Sequence, residues 1–309
     1  MKKLLFQLSL LIIICTSCNR SVFLFSYFKG NGEDGLHLAY STDGYHYFAL
    51  NKDQSFITPR VSEDKLMRDP CITQDASGRF HMVWTVSWNA PGIGYAWSDD
   101  LIHWSEQQYI PVMAHEPTVR NSWAPEIFFE ENENLFYIFW SSTIPGKYLE
   151  TENSAESNYN HRMYYTTTKD FNNFSPTQLF FDQGFNVIDG TLLKANKKYY
   201  MIVKDETKFP NPQKNIRITY SDHILGPFQP VSSPISESWV EGPTAIKVKD
   251  KYLIYYDQYT RHKMGAISST NLREWENISN EVTFPEGTRH GTVFKTKRKI
   301  LKGLLEINK

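Results

Sequence analysis

Close versions of the stretch Ser98-Asp99-Asp100-Leu101-Ile102-His103-Trp104 recur along the chain and are the main sequence evidence for its fold. Each version has a Ser or Thr, a polar residue two positions later and an aromatic residue near its end. The other versions occupy residues 41–47, 168–174 and 269–275, with a longer one at residues 221–228. Each follows a short strand-like stretch, and is therefore predicted to be the turn between the third and outermost strands of a repeated unit.

A second series of motifs opens a hydrophobic strand in each unit. These motifs begin at Asp69-Pro70, Pro125-Glu126, Asp189-Gly190, Glu241-Gly242 and His290-Gly291. Five units spaced by about 50 to 65 residues are typical of a β-propeller with four strands per blade. A β-sandwich is the alternative, but it does not explain fivefold repetition in both series.

The two ends of the chain are predicted to complete one blade together. The last strand start, at His290, has no turn of the first series after it, and the first turn, at Ser41, has no strand start before it. Joining residues 22–47 to residues 290–308 gives a whole blade and leaves no exposed sheet edge. The sequence therefore predicts an all-β, five-bladed propeller that forms a single domain over residues 22–309.

Residues 1–17 have the pattern of a signal peptide. Lys2 and Lys3 precede an apolar run at residues 4–14, which is shorter than the roughly 20 residues that a membrane span needs. Small residues stand directly before Cys18, which predicts a lipoprotein signal with Cys18 as the acylated N-terminus. We therefore expect an exported bacterial lipoprotein, periplasmic or membrane-anchored, that touches the membrane only through its lipid. An ordinary secretory signal and an uncleaved anchor are the alternatives.

Composition limits the classes of partner. The formal net charge of −1 gives no basis for binding nucleic acid. Cleavage would leave Cys71 as a free thiol, so no disulfide is predicted to support the exported chain. Aromatic residues make up 15% of the sequence, which favours β-structure and offers rings for stacking on sugars. We expect a monomer.

Ionisable residues stand at four of the five predicted strand starts: Asp69, Asp189, Glu241 and His290. The innermost strand of each propeller blade lines the axial channel, so these side chains are expected to meet in one pocket. Because converging acids repel, at least one pKa must rise. Two carboxyls with separated pKa values are what glycoside hydrolysis requires. A single Asp-Pro or Glu-Gly-Pro is usually turn chemistry, and only the equivalent placement in a repeat indicates a site.

The strand-start motifs, in order and one per blade, resemble those of glycoside hydrolase family 43. They read Arg68-Asp69-Pro70, Trp123-Ala124-Pro125-Glu126, Ile188-Asp189-Gly190, Glu241-Gly242-Pro243 and Arg289-His290-Gly291. The resemblance implies a five-bladed propeller that acts on arabinose- and xylose-containing polysaccharides or oligosaccharides with inversion of configuration. An exo-acting α-L-arabinofuranosidase is the first expectation and a β-xylosidase the second.

The resemblance also implies roles for single residues. It makes Asp69 the general base, Glu241 the general acid, and Asp189 the acid that orients the proton donor and tunes its pKa. It implies no cofactor for the chemistry, but His290 is matched to a histidine that in many members helps to hold calcium or water at the channel centre. Two departures are the Gly after Asp189, where Pro is common, and Glu126, where Asp is common.

Further residues are predicted to bind substrate. Arg68 and Arg289 flank catalytic positions and could bind sugar hydroxyls, with a structural ion pair as the alternative for each. Trp123 and Trp239 are predicted to stack on sugar, with blade packing as the alternative. Glu126 is expected to shape the pocket. The rival functions are a non-catalytic glycan-binding propeller, a glycan phosphorylase and a protein-binding propeller.

Overall fold

Five antiparallel sheets form the part of the chain that the computed structural model describes, residues 21–307. The predicted signal peptide and Cys18 lie outside these residues. One sheet holds the first three described strands, β1 (Ser21–Tyr27), β2 (His37–Ser41) and β3 (Phe48–Ala49), which are followed by a short 3₁₀ helix at Asn51–Asp53. This sheet is called the closing blade.

Four further blades follow in chain order. The first contains β4 (Arg68–Gln74), β5 (Phe80–Thr85), β6 (Ile93–Ser98) and β7 (Gln108–Ile110). The second contains β8 (Trp123–Glu130), β9 (Leu135–Thr143), β10 (His161–Thr168) and β11 (Gln178–Phe181), with helix α1 (Leu149–Glu152) between β9 and β10. The third contains β12 (Val187–Ala195), β13 (Lys198–Asp205) and β14 (Asn215–Ser221). The fourth contains β15 (Glu241–Val248), β16 (Lys251–Gln258), β17 (Lys263–Ser269) and β18 (Glu276–Asn277). The predicted five-bladed propeller is confirmed.

The ends of the chain close the ring as predicted. Strand β19 (Thr292–Lys297) pairs antiparallel with β1, from Ser26 opposite Thr292 to Ser21 opposite Lys297. The residues after β19 form helix α2 (Arg298–Glu306), which the strand repeats did not predict. Leu301 and Leu304 on this helix are buried in the same apolar cluster as Leu24 of β1, so the helix packs on the closing blade.

The recurring Ser-x-Asp turns connect the third and outermost strands as predicted. In the first blade, Ser98 Oγ accepts a hydrogen bond from the backbone N–H of Leu101 at 2.8 Å. Asp100 Oδ1 accepts two more from the N–H groups of Ile102 and His103, each at 2.8 Å. The same pattern recurs in three other blades, at Ser41, Thr168 and Ser269. Short polar side chains that bond to nearby backbone N–H groups stabilise tight turns, which explains why this motif punctuates the chain.

The third blade departs from the predicted four strands. Its outer position is taken by residues 229–235, which bond to β14 through the N–H groups of Gln229, Ser232 and Ile235 without forming a regular strand. Pro230 and Pro234 interrupt this segment, and proline has no N–H to donate to a ladder.

No helix within residues 21–307 is long and apolar enough to cross a membrane.

Candidate active site

Four of the five inner strands begin with the same irregularity in strand pairing. The register of β4, β8, β12 and β15 with the next strand shifts just after Arg68, Trp123, Ile188 and Glu241. The residue that follows each of these has a positive φ: 51° at Asp69, 46° at Ala124, 51° at Asp189 and 58° at Gly242. Positive φ is uncommon in residues other than glycine and tends to be retained at functional sites.

These irregularities are β-bulges, and they show that the three acids do not occupy equivalent positions in their blades. Asp69 and Asp189 occupy the bulge itself, whereas Glu241 lies one position earlier, at the place held by Arg68 in the first blade. The fourth blade has Gly242 at the bulge, where a Cβ atom would clash with the ring of His290. The small residue therefore lets the closing blade's histidine approach the start of β15.

The strand starts surround a pocket of about 400 Å³. Seven of the nine residues predicted for catalysis or sugar binding line it: Arg68, Asp69, Trp123, Asp189, Glu241, Arg289 and His290. Trp88 lines it as well, and so do Asn31, Thr85, Lys204 and Glu206, to which no sequence motif assigned a role. All five blades contribute to the wall, as expected for a pocket on a propeller axis.

Asp69 is held as a carboxylate. Thr85 Oγ1 donates to Asp69 Oδ2 at 2.8 Å, and His290 Nδ1 lies 3.2 Å from Asp69 Oδ1. Burial raises the pKa of Asp69, but the charge and hydrogen bond of His290, with Arg68 and Thr85, outweigh burial and lower it to about 2. This side chain is ionised throughout the pH range in which proteins usually work.

His290 is the cationic partner of that carboxylate. Burial lowers its pKa, but the negative charges of Asp69, Asp189 and Glu241 outweigh burial and raise it to about 9. A protonated imidazole has no lone pair for a metal, and Ca²⁺ takes six to eight oxygen ligands. No group of three or more His, Cys, Asp or Glu residues within residues 21–307 is arranged to hold a metal ion. The calcium or water that the resemblance implied beside His290 stays a prediction.

Glu241 lies between two cations. Lys204 Nζ is 3.3 Å from Glu241 Oε2, and Arg289 Nη2 is 3.2 Å from Glu241 Oε1. Arg289 also bonds through Nε to Asp257 Oδ2 at 2.6 Å, so it is both an ion-pair partner and a pocket residue. Each oxygen of the Glu241 carboxyl group is thus oriented by its own positive charge.

Asp189 is the acid with the raised pKa. Burial, together with the charges of Glu241 and Asp69, raises its pKa to about 6 against the opposing effects of His290 and Lys204. Its Oδ2 accepts a hydrogen bond from the backbone N–H of Gly242 at 3.1 Å. Because Gly242 follows Glu241 directly, Asp189 is tied to the backbone that carries Glu241.

Arg68 and the aromatic side chains form one side of the pocket. The Arg68 guanidinium lies 4.3 Å from the ring centre of Trp88 and donates to Asn31 Oδ1 at 2.8 Å. Trp123 packs edge to face against Trp88, with 5.5 Å between ring centres. Trp239 is not part of this wall, and it packs instead against the amine of Lys208 at 4.7 Å.

Glu126 also lies outside the pocket. It lines a separate cavity of about 130 Å³ deeper along the inner strands, where it accepts hydrogen bonds from Thr191 Oγ1 at 2.9 Å and Thr292 Oγ1 at 3.0 Å. Burial raises the pKa of Glu126 to about 7, although both hydroxyls act in the opposite direction. Glu126 pairs with Phe139, and this is the first pairing after the bulge in the second blade. In the first blade the corresponding position is held by Cys71, which pairs with Val83. Glu126 is therefore equivalent to Cys71 and not to Asp69.

Three of the unpredicted residues share one register position. Thr85, Lys204 and Asp257 are the second-strand partners of Arg68, Ile188 and Glu241, respectively. Each follows an apolar strand, in the sequences Val83-Trp84-Thr85, Ile202-Val203-Lys204 and Tyr255-Tyr256-Asp257. A polar residue near the end of a buried second strand was the sequence feature that could have indicated these three site residues.

Known proteins similar in sequence include a family of probable glycosyl hydrolase domains and an α-L-arabinofuranosidase. A family model described as a probable glycosyl hydrolase domain, related to glycoside hydrolase family 43, matches residues 19–300. An α-L-arabinofuranosidase of Bifidobacterium longum subsp. longum is 29% identical over 120 residues, which is 35% of this chain and 11% of that protein.

Solved structures share the fold. A thermostable family-43 glycoside hydrolase superposes with a TM-score of 0.55 at 18% identity, over 72% of this chain and 78% of that one. An α-L-arabinofuranosidase from Lactobacillus brevis gives 0.53 at 15% identity, over 69% and 72%. A xylan β-1,4-xylosidase from Bacillus halodurans gives 0.52 at 16% identity, over 72% and 42%.

Proposed function

The chain belongs to the family described as a probable glycosyl hydrolase domain related to glycoside hydrolase family 43, and on that basis we propose that it is an exo-acting, inverting glycoside hydrolase. The observation that carries the proposal is the meeting of Asp69, Asp189 and Glu241 at one pocket, where burial and neighbouring charges separate the pKa values of the two aspartates. The pocket therefore holds an ionised carboxylate, Asp69, that is suited to act as a base, with Glu241 and the buried acid Asp189 beside it.

Asp69 is proposed as the general base. Its carboxylate is ionised because His290 and Arg68 offset the effect of burial on its pKa. Thr85 and His290 each contact one of its two oxygens and so fix the orientation of the group. An ionised, oriented carboxylate in a sugar-sized pocket is suited to take a proton from the water that attacks the anomeric carbon.

Glu241 is proposed as the general acid and Asp189 as the residue that assists it. Glu241 lines the same pocket as Asp69 and is contacted by Arg289 and Lys204. The hydrogen bond from Gly242 to Asp189 fixes this acid beside the proton donor.

The proposed substrates are plant-type polysaccharides or oligosaccharides that end in arabinofuranose or xylose. Proteins of similar fold are described as an α-L-arabinofuranosidase and a xylan β-1,4-xylosidase, and both act on such sugars. A pocket of about 400 Å³ suits a terminal sugar, and the rings of Trp88 and Trp123 offer an apolar wall.

The stereochemical outcome tests this proposal. ¹H NMR spectra recorded during hydrolysis of aryl α-L-arabinofuranoside and aryl β-D-xyloside distinguish the first-formed anomer from the one that appears by mutarotation. We expect the first product to have the anomeric configuration opposite to that of the substrate. A first product with the same configuration would overturn the inverting assignment and make Asp69 a nucleophile candidate instead.

A non-catalytic glycan-binding propeller is the second candidate. The contact of both Glu241 oxygens with cations favours it, because a carboxylate paired on both sides is also what a purely structural ion-pair network contains. Binding of oligosaccharide without turnover would support this candidate.

Export as a lipoprotein remains part of the proposal. It rests on Lys2, Lys3, the apolar residues 4–14 and Cys18. Metabolic labelling with a fatty acid should mark the wild-type protein and fail to mark Cys18→Ser, whereas equal labelling of both would refute acylation at Cys18.

A further inference from the structure

We propose that Lys204 is a positioning residue for the proton donor. Its ammonium group holds Glu241 Oε2 and stabilises the negative charge that Glu241 acquires when it protonates the leaving group. The proposal rests on the proposed function and adds a residue for which no sequence motif gave a role. It is argued from the burial of Lys204, from its contacts and from the charges around Glu241.

Lys204 is a buried lysine whose amine faces only charged and aromatic partners. Its side chain is 2% exposed, and Nζ lies 2.7 Å from Glu206 Oε2, 3.3 Å from Glu241 Oε2 and 5.0 Å from the ring centre of Tyr259. Burial lowers the pKa of Lys204, but the carboxylates of Glu206, Glu241 and Asp189 outweigh burial and raise it above its ordinary value. The amine therefore stays charged. Burying a lysine is costly unless it is paired, and a lysine that served only packing would not need to be placed against Glu241.

Lys204 also contacts an alternating series of charges that does not include Glu241. Glu206 contacts both Lys204 and Lys214, and Lys214 Nζ lies 3.2 Å from Glu156 Oε2. Glu156 belongs to the excursion between β9 and β10, whose residue Ser154 accepts a backbone hydrogen bond from Lys208 at 2.8 Å. Through Lys204, the series thus connects an ordered loop of the second blade to the proton donor of the fourth. Since each member has a partner on both sides, the amine of Lys204 has little freedom to move away from Glu241.

The charges that face Glu241 come from several elements. Strand β12 contributes Asp189, β16 contributes Asp257, and the segment before β19 contributes Arg289 and His290; Tyr259 lies after β16. Asp189 and Asp257 oppose ionisation of Glu241, and the three cations, Lys204 included, favour it. Arg289 is shared with Asp257, whose Oδ2 lies 2.6 Å from Arg289 Nε. Lys204 is therefore a principal cation acting on Glu241 Oε2.

Proton donation explains why such a cation would assist. As the glycosidic bond breaks, the proton moves from Glu241 to the departing oxygen, and the Glu241 carboxyl group becomes a carboxylate. A fixed positive charge beside that carboxylate stabilises it in the transition state without reorganisation. Loss of that charge would remove this stabilisation of the carboxylate that proton donation leaves behind.

Lys204→Met tests the proposal, because methionine has similar length and leaves Arg289 with Glu241 and Lys214 with Glu206. We expect the titration midpoint of Glu241, followed by carbon-13 NMR of labelled glutamate side chains, to lie higher in the variant than in the wild type, because the variant lacks the nearby cation. The basic limb of the pH dependence of kcat/KM should move upward with it. At low pH, kcat should fall for aryl glycosides with poor leaving groups and change little for those with good leaving groups, since the latter need less acid assistance. Lys204→Arg keeps the charge and should restore the basic limb.

Lys214→Met is the matched control. Lys214 is 3% exposed and shares Glu206 with Lys204, but its ion pairs are with Glu206 and Glu156 and not with Glu241. Because Lys214 acts on Glu241 only through Glu206 and Lys204, we expect this variant to shift the titration of Glu241 and the leaving-group dependence less than Lys204→Met does.

An unchanged Glu241 titration in Lys204→Met would overturn the proposal, as would an equal shift in Lys214→Met. A uniform loss of kcat for all leaving groups would also overturn it, because that pattern indicates damage to the fold. The titration needs no turnover. If the wild type hydrolyses no glycoside, the proposed function is wrong, and the titration still decides whether Lys204 holds the charge of Glu241.

Discussion

Replacing Glu126 with Gln should make the propeller more stable at alkaline pH than the wild type. Glu126 is buried beside two threonine hydroxyls, and burial raises its pKa from 4.5 to about 7. Below pH 4.5 the carboxyl group is protonated in both the folded and the unfolded chain. As the pH rises through 7, the folded protein must carry a buried carboxylate or lose the hydrogen bonds between Glu126 and the two threonines. A Gln at this position stays neutral.

The size of the effect follows from the pKa. A rise from 4.5 to about 7 corresponds to about 3 kcal/mol, because each pKa unit represents about 1.4 kcal/mol. For an acid whose folded pKa is raised, the favourable contribution is present below the unfolded pKa and is lost as the pH rises through the folded pKa. The difference in unfolding free energy between Glu126→Gln and the wild type should therefore shift by about 3 kcal/mol in favour of the variant between pH 4.5 and pH 8.

Urea unfolding followed by tryptophan fluorescence at pH 4.5, 6 and 8 measures this difference. Glu130→Gln is the matched control on the same strand. Glu130 is also buried, but Lys194 and Tyr199 outweigh burial and lower its pKa, so its replacement should cost most at pH 8 and less as the pH falls. A pH-independent difference for Glu126→Gln, or the same sign of pH dependence in both variants, would refute the assignment of Glu126 as a buried neutral acid.

Three further predictions concern other parts of the molecule. His290→Gln removes a cation that helps to hold the pKa of Asp69 near 2. The acidic limb of the pH dependence of kcat/KM should therefore move upward by about one to two pH units in a pH–rate profile. An unmoved limb would contradict the role of His290. Asp69→Asn should lower kcat by about 10²- to 10⁴-fold and retain binding of oligosaccharide by calorimetry; unchanged kcat would exclude Asp69 as the base. Arg162→Met removes the buried guanidinium that lies 2.6 Å from the Asp182 carboxylate. The free energy of unfolding in urea should fall by about 3 kcal/mol. An unchanged value would show that this ion pair does not contribute to stability.

The fold could be predicted because its repeated turns are local. Ser98 and Asp100 bond to backbone N–H groups within three residues, so the motif that forms the turn is contiguous in the sequence. Closure of the ring followed from counting complete and incomplete units. Helix α2 was missed because its apolar residues Leu301 and Leu304 fall in a short segment after the last strand, outside any repeat.

The site could be predicted only in part, because its details depend on pairing between strands. Motif comparison found Asp69, Asp189 and Glu241, which the structure brings to one pocket. Lys204 and Asp257 were missed since only the register of β13 and β16 places them beside the strand starts. The bulge residue of the second blade is Ala124, which has no carboxyl group. Glu126, two positions later, therefore lies in the deeper cavity rather than in the pocket that the motif suggested.

The most direct test of the central claim is hydrolysis of aryl arabinofuranoside, xyloside and galactoside by the wild type and Glu241→Ala. We predict that the wild type hydrolyses one of the first two, that Glu241→Ala loses this activity, and that a better leaving group partly restores it, because such a group needs no proton. Absence of wild-type hydrolysis on all three, with retained binding of plant oligosaccharides, would contradict the enzyme assignment. Equal activity of the variant would contradict Glu241 as the proton donor.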